Sequence, residues 1–376
     1  MAGPHRDVSV ARNLLRESFA QLPSGQPVVL AVSGGADSLA LAASAKYAAR
    51  FSGTQLYALV VDHQLRPESA DEANDAVVVL TQLGISAHIA KVVLTKGEGP
   101  EGDARRARYA ALAEFAESVR TESGPGVVYL GHNADDQAET VLLGLGRGSG
   151  PRSLAGMAEK GLLPLHSHIE FRRPLLSLRH EQLINICSEL GLKYVDDPSN
   201  FLDGPWRTES GEPLRRSRIR HELLPLLNQI LDDGVVPALG RTATIFRADD
   251  DALSEIARER ISQYVSVVNL QGVRKKLFTD LNLLDISTLE IDCRALADEH
   301  RAIRTRILRD CYEKIGGAGS ELVFWHLDAL DKLITSRDNG QQLDLPGITA
   351  RRTENILQLT ISNPNGGRNG TQGRRN

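Results

Sequence analysis

The chain has 376 residues, 41% of them hydrophobic and 24% charged, with a formal net charge of −4. This is ordinary globular composition, long enough for two or three domains, and the charge sum alone does not announce a nucleic-acid binder. No apolar run approaches a membrane span, the start Met1–Asp7 lacks the apolar core of a signal peptide, and the expected location is the cytoplasm. Cys187, Cys293 and Cys311 form no C-x-x-C pair, so neither a zinc ribbon nor a four-cysteine cluster is expected.

The first half has an α/β rhythm. Apolar runs at 27–33, 55–62, 86–93 and 126–131 read as strands, and 36–50, 68–83, 102–122 and 133–145 as helices. Strands this short and continuously apolar are those covered by helices on both faces. Their alternation predicts a doubly wound parallel sheet with right-handed crossovers, whose ligands bind at the carboxyl ends of the strands. Each chemistry-bearing motif falls at such an end.

Ser33-Gly34-Gly35-Ala36-Asp37-Ser38 joins the first strand to the first helix. Its glycines permit close approach of an anion, the helix start offers free N–H groups, and Ser33 and Ser38 add hydroxyls. A carboxylate beside phosphate oxygens needs a cation between them, so Asp37 reads as a Mg²⁺ ligand or an orienting group. No Gly-Lys-Ser/Thr follows, which excludes a Walker A loop, and the third glycine of a dinucleotide fingerprint is missing. Many such turns are only turns. Asp62 and His63 end the second strand, where they face a nucleotide or simply form a polar loop. Arg105 and Arg108 share a helix face and can clamp a triphosphate; a solvated basic face is the alternative.

Gly131-His132-Asn133-Ala134-Asp135-Asp136-Gln137-Ala138-Glu139-Thr140 ends the fourth strand. Asp135, Asp136 and Glu139 are more acids than capping needs, and such a cluster can hold Mg²⁺ or a cationic amine. His132 is placed to contact the phosphate under attack. Arg147-Gly148-Ser149-Gly150 is a helix stop or an active-site loop, and Phe171–Leu176 leads into a helix at 179–190. Further on, 222–264, 294–314 and 320–336 read as helices, and 341–361 as a short β-hairpin. The tail 362–376 lacks apolar residues and is expected to be disordered. Arg301, Arg304 and Arg306 fit an RNA backbone and a plain surface equally well.

The Ser33–Ser38 loop resembles that of the PP-loop ATP pyrophosphatases. With Val61–Ser69, Ala104–Tyr109, Gly131–Thr140, Arg147–Gly150, Arg173–Leu176, Asp197–Asn200 and Arg218–Pro225 following in order, residues 25–250 resemble the tRNA(Ile)-lysidine synthetase family. The resemblance implies that ATP adenylates the C2 oxygen of the wobble cytidine in a CAU-anticodon tRNA(Ile), releasing pyrophosphate. The ε-amine of free lysine then displaces AMP. It places Ser33, Gly34, Gly35, Asp37, Ser38, Asp62 and His63 at ATP, and Asp37, Arg105, Arg108 and His132 in catalysis, with Mg²⁺ on Asp37. Lysine falls to Asp136 and Glu139, and tRNA to Arg173, Arg215, Arg216, Arg218 and Arg220. It also leans toward a homodimer and no membrane partner.

Two departures stand out. Phe201–Leu214 lengthens the spacing before the arginine motif, and Ser217 replaces the usual asparagine. The domains expected are a catalytic unit at 1–230, a helical linker at 231–264, a helical tRNA-binding domain at 265–340, the hairpin and the tail. Three alternatives stay open. A 2-thiocytidine synthetase would call for clustered cysteines, an amidotransferase-type synthetase for a glutaminase, and a non-catalytic ATP- or tRNA-binding module for no intact Asp37, His132, Asp136 and Glu139.

Overall fold

The four apolar runs form β1 (Val28–Val32), β2 (Leu56–Asp62), β3 (Ser86–Lys91) and β4 (Val127–Leu130) in the computed structural model. It describes residues 4–95, 99–148, 150–195, 201–204, 207–208, 210–269, 274–276, 286–317, 322–336 and 338–362. Ser149, Asp197–Asn200 and the tail beyond Ser362 lie outside the described residues. The helices between the strands are α2 (Ala36–Ser52), α3 (Ser69–Gln82) and α4 (Pro100–Ser118), and α5 (Ala134–Arg147) follows β4.

Around this sheet three elements go beyond the sequence reading. The helix α1 (Arg6–Ala20) precedes β1, and β5 (Lys160–Leu163) and β6 (His166–Arg172) extend the sheet. The sheet order is β3-β2-β1-β4-β6-β5, parallel throughout except that β5 runs antiparallel to β6. The signal for α1 was present: Val8, Ala11, Leu15 and Phe19 recur at helical spacing, and all four are buried.

Alternation along β1 builds two cores. Val28, Leu30 and Val32 pack with Leu15 and Phe19 of α1, Leu39 and Leu41 of α2, and Leu183 and Ile186 of α7 (His180–Glu189). Val29 packs on the other face with Val128, Leu130 and the α4 residues Leu112, Ala113 and Ala116. Each such large side chain contributes roughly 1.5–3 kcal/mol on burial. Helices thus cover both faces, as the apolar strands required. A short α6 (Pro151–Leu154) lies between α5 and β5. After α7 come α8 (Arg215–Arg218), a π turn at Ile219–Leu223, α9 (Leu224–Leu231) and α10 (Val235–Tyr264).

The chain divides into two compact units. One comprises 1–146 with 154–244, and the other 147–153 with 245–376. In the second unit α11 (Cys293–Ala297), α12 (Arg301–Lys314) and α13 (Phe324–Thr335) pack on an antiparallel sheet. That sheet is larger than the expected hairpin. The segment 341–361 supplies β10 (Gln342–Leu345), β11 (Ile348–Thr353) and β12 (Ile356–Ile361), and β12 pairs with β9 (Ile286–Asp292). Strands β7 (Val265–Asn269) and β8 (Arg274–Lys276) complete the order β10-β11-β12-β9-β7-β8. The physical reason is the edge. An isolated hairpin leaves unpaired backbone groups and an uncovered apolar face, and β9 satisfies the first while α12 and α13 satisfy the second.

Three of the four arginines of α12, Arg301, Arg304 and Arg306, are committed inside this unit. Arg304 binds Asp331 at 2.5 and 3.2 Å and donates to the carbonyls of Ala297 and Glu299. Arg301 pairs with Asp328 at 2.7 Å, and Arg306 with Asp250 at 2.5 Å. They read as fold-forming ion pairs. Arg304→Ala removes the two-point guanidinium contact of the buried Asp331, leaving it Arg301 Nε at 3.3 Å, and is expected to lower the stability of this unit by about 3 kcal/mol. Urea unfolding followed by circular dichroism measures the loss.

Candidate active site

Because β2 and β3 lie on one side of β1 and β4 on the other, the connections leaving β1 and β4 diverge. A crevice opens at the carboxyl ends of these two strands, the place where open α/β sheets bind ligands. Gly131 brings its two walls together. A Cβ there would lie 3.1–3.2 Å from the backbone of Asp37 and Ser38, so any larger residue would push β4 away from the α2 start.

The turn after β1 has the geometry of an anion cradle. Gly34 takes φ +86, a left-handed conformation, and Gly35 caps α2 with no side chain of its own. Leu39 N–H already donates to the Gly35 carbonyl, while the N–H groups of the first turn before it remain for a ligand. Ser38 Oγ accepts from Ser33 N–H at 3.2 Å and donates to the Gly35 carbonyl at 2.9 Å, which holds the loop in shape. Asp62 is buried and accepts the Gln64 N–H at 2.9 Å, so its carboxylate shapes the turn after β2. His63 follows it in the same turn.

Cations gather beside β4. Arg105 and Arg108 lie over the buried Tyr109 ring at 5.2 and 5.6 Å, and Arg173 lies over Phe171 at 4.2 Å. Burial pushes the Tyr109 phenol up, but Arg105, Arg108 and Arg173 outweigh it and hold it below the ordinary tyrosine value. Burial pushes Arg108 down, and brings Arg173 down to about 10, with Arg105 adding to both effects. Both stay cationic at neutral pH. Arg173, assigned to tRNA from the sequence, is only 5% exposed and donates Nε–H to His132 Nδ1 at 3.1 Å. It belongs to this cluster and not to an outer RNA-facing surface.

Carboxylates gather on the α5 side, each with a partner. Asp37 accepts from His180 Nδ1 at 2.8 Å, and that contact, more than burial can oppose, raises the imidazole above its ordinary value. Asp135 binds Arg179 and the His180 N–H at 2.7–3.1 Å. Asp136 and Glu139 share Arg220, at 3.1 Å from Nη2 and 2.6 Å from Nε. Burial pushes both of these carboxyls above their usual range, and Arg220 only partly pulls them back. Arg220 is thus drawn inward, unlike the RNA-facing role expected for it. Its neighbours differ: Arg215 is exposed, Arg218 is exposed and pairs with Glu222, and Ser217 is buried. Arg216 is half-buried, and its charge reaches His132, Asp136 and Glu139.

A family model described as a PP-loop domain matches residues 7–227. The chain is 36% identical over 354 residues to the tRNA(Ile)-lysidine synthase of Thermobifida fusca, covering 94% of this chain and 96% of that one. It is 37% identical to the Streptomyces coelicolor tRNA(Ile)-lysidine synthase over 88% of this chain and 84% of that one. The Salinispora arenicola tRNA(Ile)-lysidine synthase is 36% identical, with 97% and 99% covered. This chain belongs to the tRNA(Ile)-lysidine synthase family. No helix among its described residues is long and apolar enough to cross a membrane.

Sequence reasoning missed the residues that tie the family's motifs to one another. Arg179 and His180 open α7 and latch Asp135 and Asp37; their only sequence signal was a charged pair at a helix start. Gln137 was visible inside the second motif, yet its work is tertiary. It is 6% exposed, donates to the Met157 carbonyl at 3.1 Å and accepts the Met157 N–H at 2.6 Å. The next residue, Ala158, lends its carbonyl to Arg173 Nη1 at 2.7 Å. Gln137→Leu removes both bonds and leaves buried backbone groups unpaired, at about 1–3 kcal/mol each. The expected result is a lower urea midpoint together with a higher KM for ATP.

Proposed function

We propose that this chain joins free lysine to C2 of the wobble cytidine of a CAU-anticodon tRNA(Ile), consuming ATP and releasing pyrophosphate and AMP. The observation that carries the reading is the meeting of two unlike pockets at one crevice. A glycine cradle with guanidinium groups suits a triphosphate, and a carboxylate pair, Glu139 buried and Asp136 half-buried, suits an ammonium ion. In the first step the cytidine C2 oxygen attacks the α-phosphorus and pyrophosphate leaves. In the second the lysine ε-amine attacks C2, AMP leaves, and the amine gives up a proton.

Each group has a stated task. The Ser33–Ser38 loop and the α2 start bind the phosphates through backbone N–H groups. Arg105, Arg108 and Arg173 are aimed at charge that builds on the α–β bridge as it breaks. Asp37 would hold Mg²⁺. One of its oxygens meets His180, and a single hard carboxylate suits an ion that takes its remaining ligands from phosphate and water. When bound, the metal neutralises the leaving pyrophosphate.

Asp136 and Glu139 would receive the lysine cation. The half-buried Asp136 and the buried Glu139 share one guanidinium in direct contact, and burial raises their titration beyond what that one cation offsets. An ammonium ion entering beside Arg220 adds a second cation. The exposed Arg215 and Arg218 remain for tRNA phosphates, with the second unit serving as a further tRNA-holding body. A homodimer and a cytoplasmic location belong to the same proposal. A 2-thiocytidine synthetase fits less well. Cys187, Cys293 and Cys311 are each buried and separate, and burial pushes the Cys187 thiol up to about 12.

Labelled lysine, Mg·ATP and a CAU-bearing tRNA(Ile) transcript test the proposal. Stable label that requires ATP and disappears with a C-to-U wobble variant is expected. RNA-dependent pyrophosphate release without label would replace lysine by another nucleophile, and the absence of both label and pyrophosphate release would overturn the reading. Asp37→Asn is expected to abolish pyrophosphate release. Asp136→Asn and Glu139→Gln are expected to raise the KM for lysine about thirtyfold or more, from the ~2 kcal/mol lower bound for losing one member of a charge pair. ATP binding should be unchanged, and an equal loss of it would refute the lysine assignment.

A further inference from the structure

His132 stands among four arginines: Arg173 at the end of β6, Arg105 and Arg108 on α4, and Arg216 on α8. The carboxylates of the adjoining motifs are engaged elsewhere, Asp37 with His180 and Asp136 with Arg220 and the Asn133 N–H. The contact with Arg173 decides the state of the ring. A guanidinium has five N–H donors and no acceptor. Its Nε–H points at His132 Nδ1 from 3.1 Å, so Nδ1 must be the lone-pair nitrogen and the proton must sit on Nε2. We propose that Arg173 locks His132 as the Nε2–H tautomer, and that this N–H is a hydrogen-bond donor to the phosphate that changes charge during adenylation.

The lock is itself held. Arg173 N–H donates to the Glu159 carbonyl and Nη1–H to the Ala158 carbonyl, both at 2.7 Å, while Gln137 grips Met157 just before them. Phe171 stacks under the guanidinium. With charge, position and plane all fixed, Arg173 has no freedom to release Nδ1. Burial and the surrounding arginines act in the same direction and hold the imidazole well below its ordinary 6.5. The ring therefore adds no positive charge to a cluster that already carries several. It supplies a directed donor whose strength does not change near neutral pH, which is what a preorganised transition-state donor requires. Arg173 is a positioning residue on this account. The second half of the proposal rests on the adenylation reading above; the tautomer does not.

Nitrogen NMR of the histidine-labelled full-length protein separates the two. His132→Gln assigns the His132 signals by their disappearance. The expected wild-type pattern is an unprotonated Nδ1 coupled to a protonated Nε2, unchanged from pH 8 down to pH 6.5. Arg173→Met should convert it to a tautomer mixture that titrates at higher pH, and Arg173→Gln, whose amide can accept as well as donate, covers the case in which the methionine variant does not fold. A protonated Nδ1 in the wild type, an imidazolium near neutral pH, or a tautomer indifferent to both Arg173 variants would overturn the assignment. For the catalytic half, the glutamine amide nitrogen replaces Nε2 and the asparagine amide replaces Nδ1. His132→Gln should therefore keep much more pyrophosphate release than His132→Asn, by about a hundredfold. Equal losses would overturn the donor role. Absence of all lysidine synthesis with the tautomer intact would remove the functional reading and leave the assignment standing.

Discussion

The close approach of Gly131 to the backbone of Asp37 and Ser38 is the constraint on which the site depends. It lets the end of β4 pack against the start of α2, so two connections that diverge from the sheet begin side by side. Without it the phosphate cradle and the carboxylate helix would be separate features of one sheet. The constraint is steric and backbone-to-backbone, and no rotamer change can relieve it.

Around that contact the charges are sorted. Arg105, Arg108 and Arg173 crowd one wall, where burial and then the charge of Arg105 lower the proton affinity of Arg108 and Arg173, a cost that a bound anion would offset. Carboxylates fill the other wall, each tied to a basic group from a different part of the chain: His180 on Asp37, Arg179 on Asp135, Arg220 on Asp136 and Glu139. Helix α7 has a particular part in this order. Its first residues reach both motifs, and Gln182 and Asn185 bind Asp7 of α1 at 2.9 and 3.2 Å. The N-terminal helix thereby anchors the element that holds Asp37 and Asp135. The same logic gives a different outcome in the second unit. There Arg301, Arg304 and Arg306 find carboxylates on neighbouring elements and are consumed in fold stability.

Four of the six strands of the first-unit sheet, β1 to β4, were legible because their signals are local. Continuous apolar runs, a strand–helix rhythm and glycine turns each act within about ten residues, so β1 to β4 and their helices fall near their predicted bounds. The second-unit sheet was less legible. Its strand β9 pairs with β12 on one side and β7 on the other, and the β9–β12 pairing joins residues far apart in the chain, which no window along the sequence can register. Helix α1 is a different case, since its apolar spacing at Val8, Ala11, Leu15 and Phe19 was readable.

For function, the sequence by itself determined the chemical inventory and its order: the Ser33–Ser38 cradle, Arg105 and Arg108, His132, and the acids Asp136 and Glu139. It did so because phosphate binding and helix starts need particular residue types at fixed short spacings. Only the tertiary structure decided who touches whom. It turned Arg173 inward onto His132, placed Arg220 between Asp136 and Glu139, set His180 against Asp37 and made Gln137 the support of the Ala158 carbonyl. An arginine in a sequence carries the same charge whether it faces solvent, phosphate or carboxylate. Its role follows from the low-dielectric surroundings and the geometry of its partners, and these exist only once the sheet has closed around them.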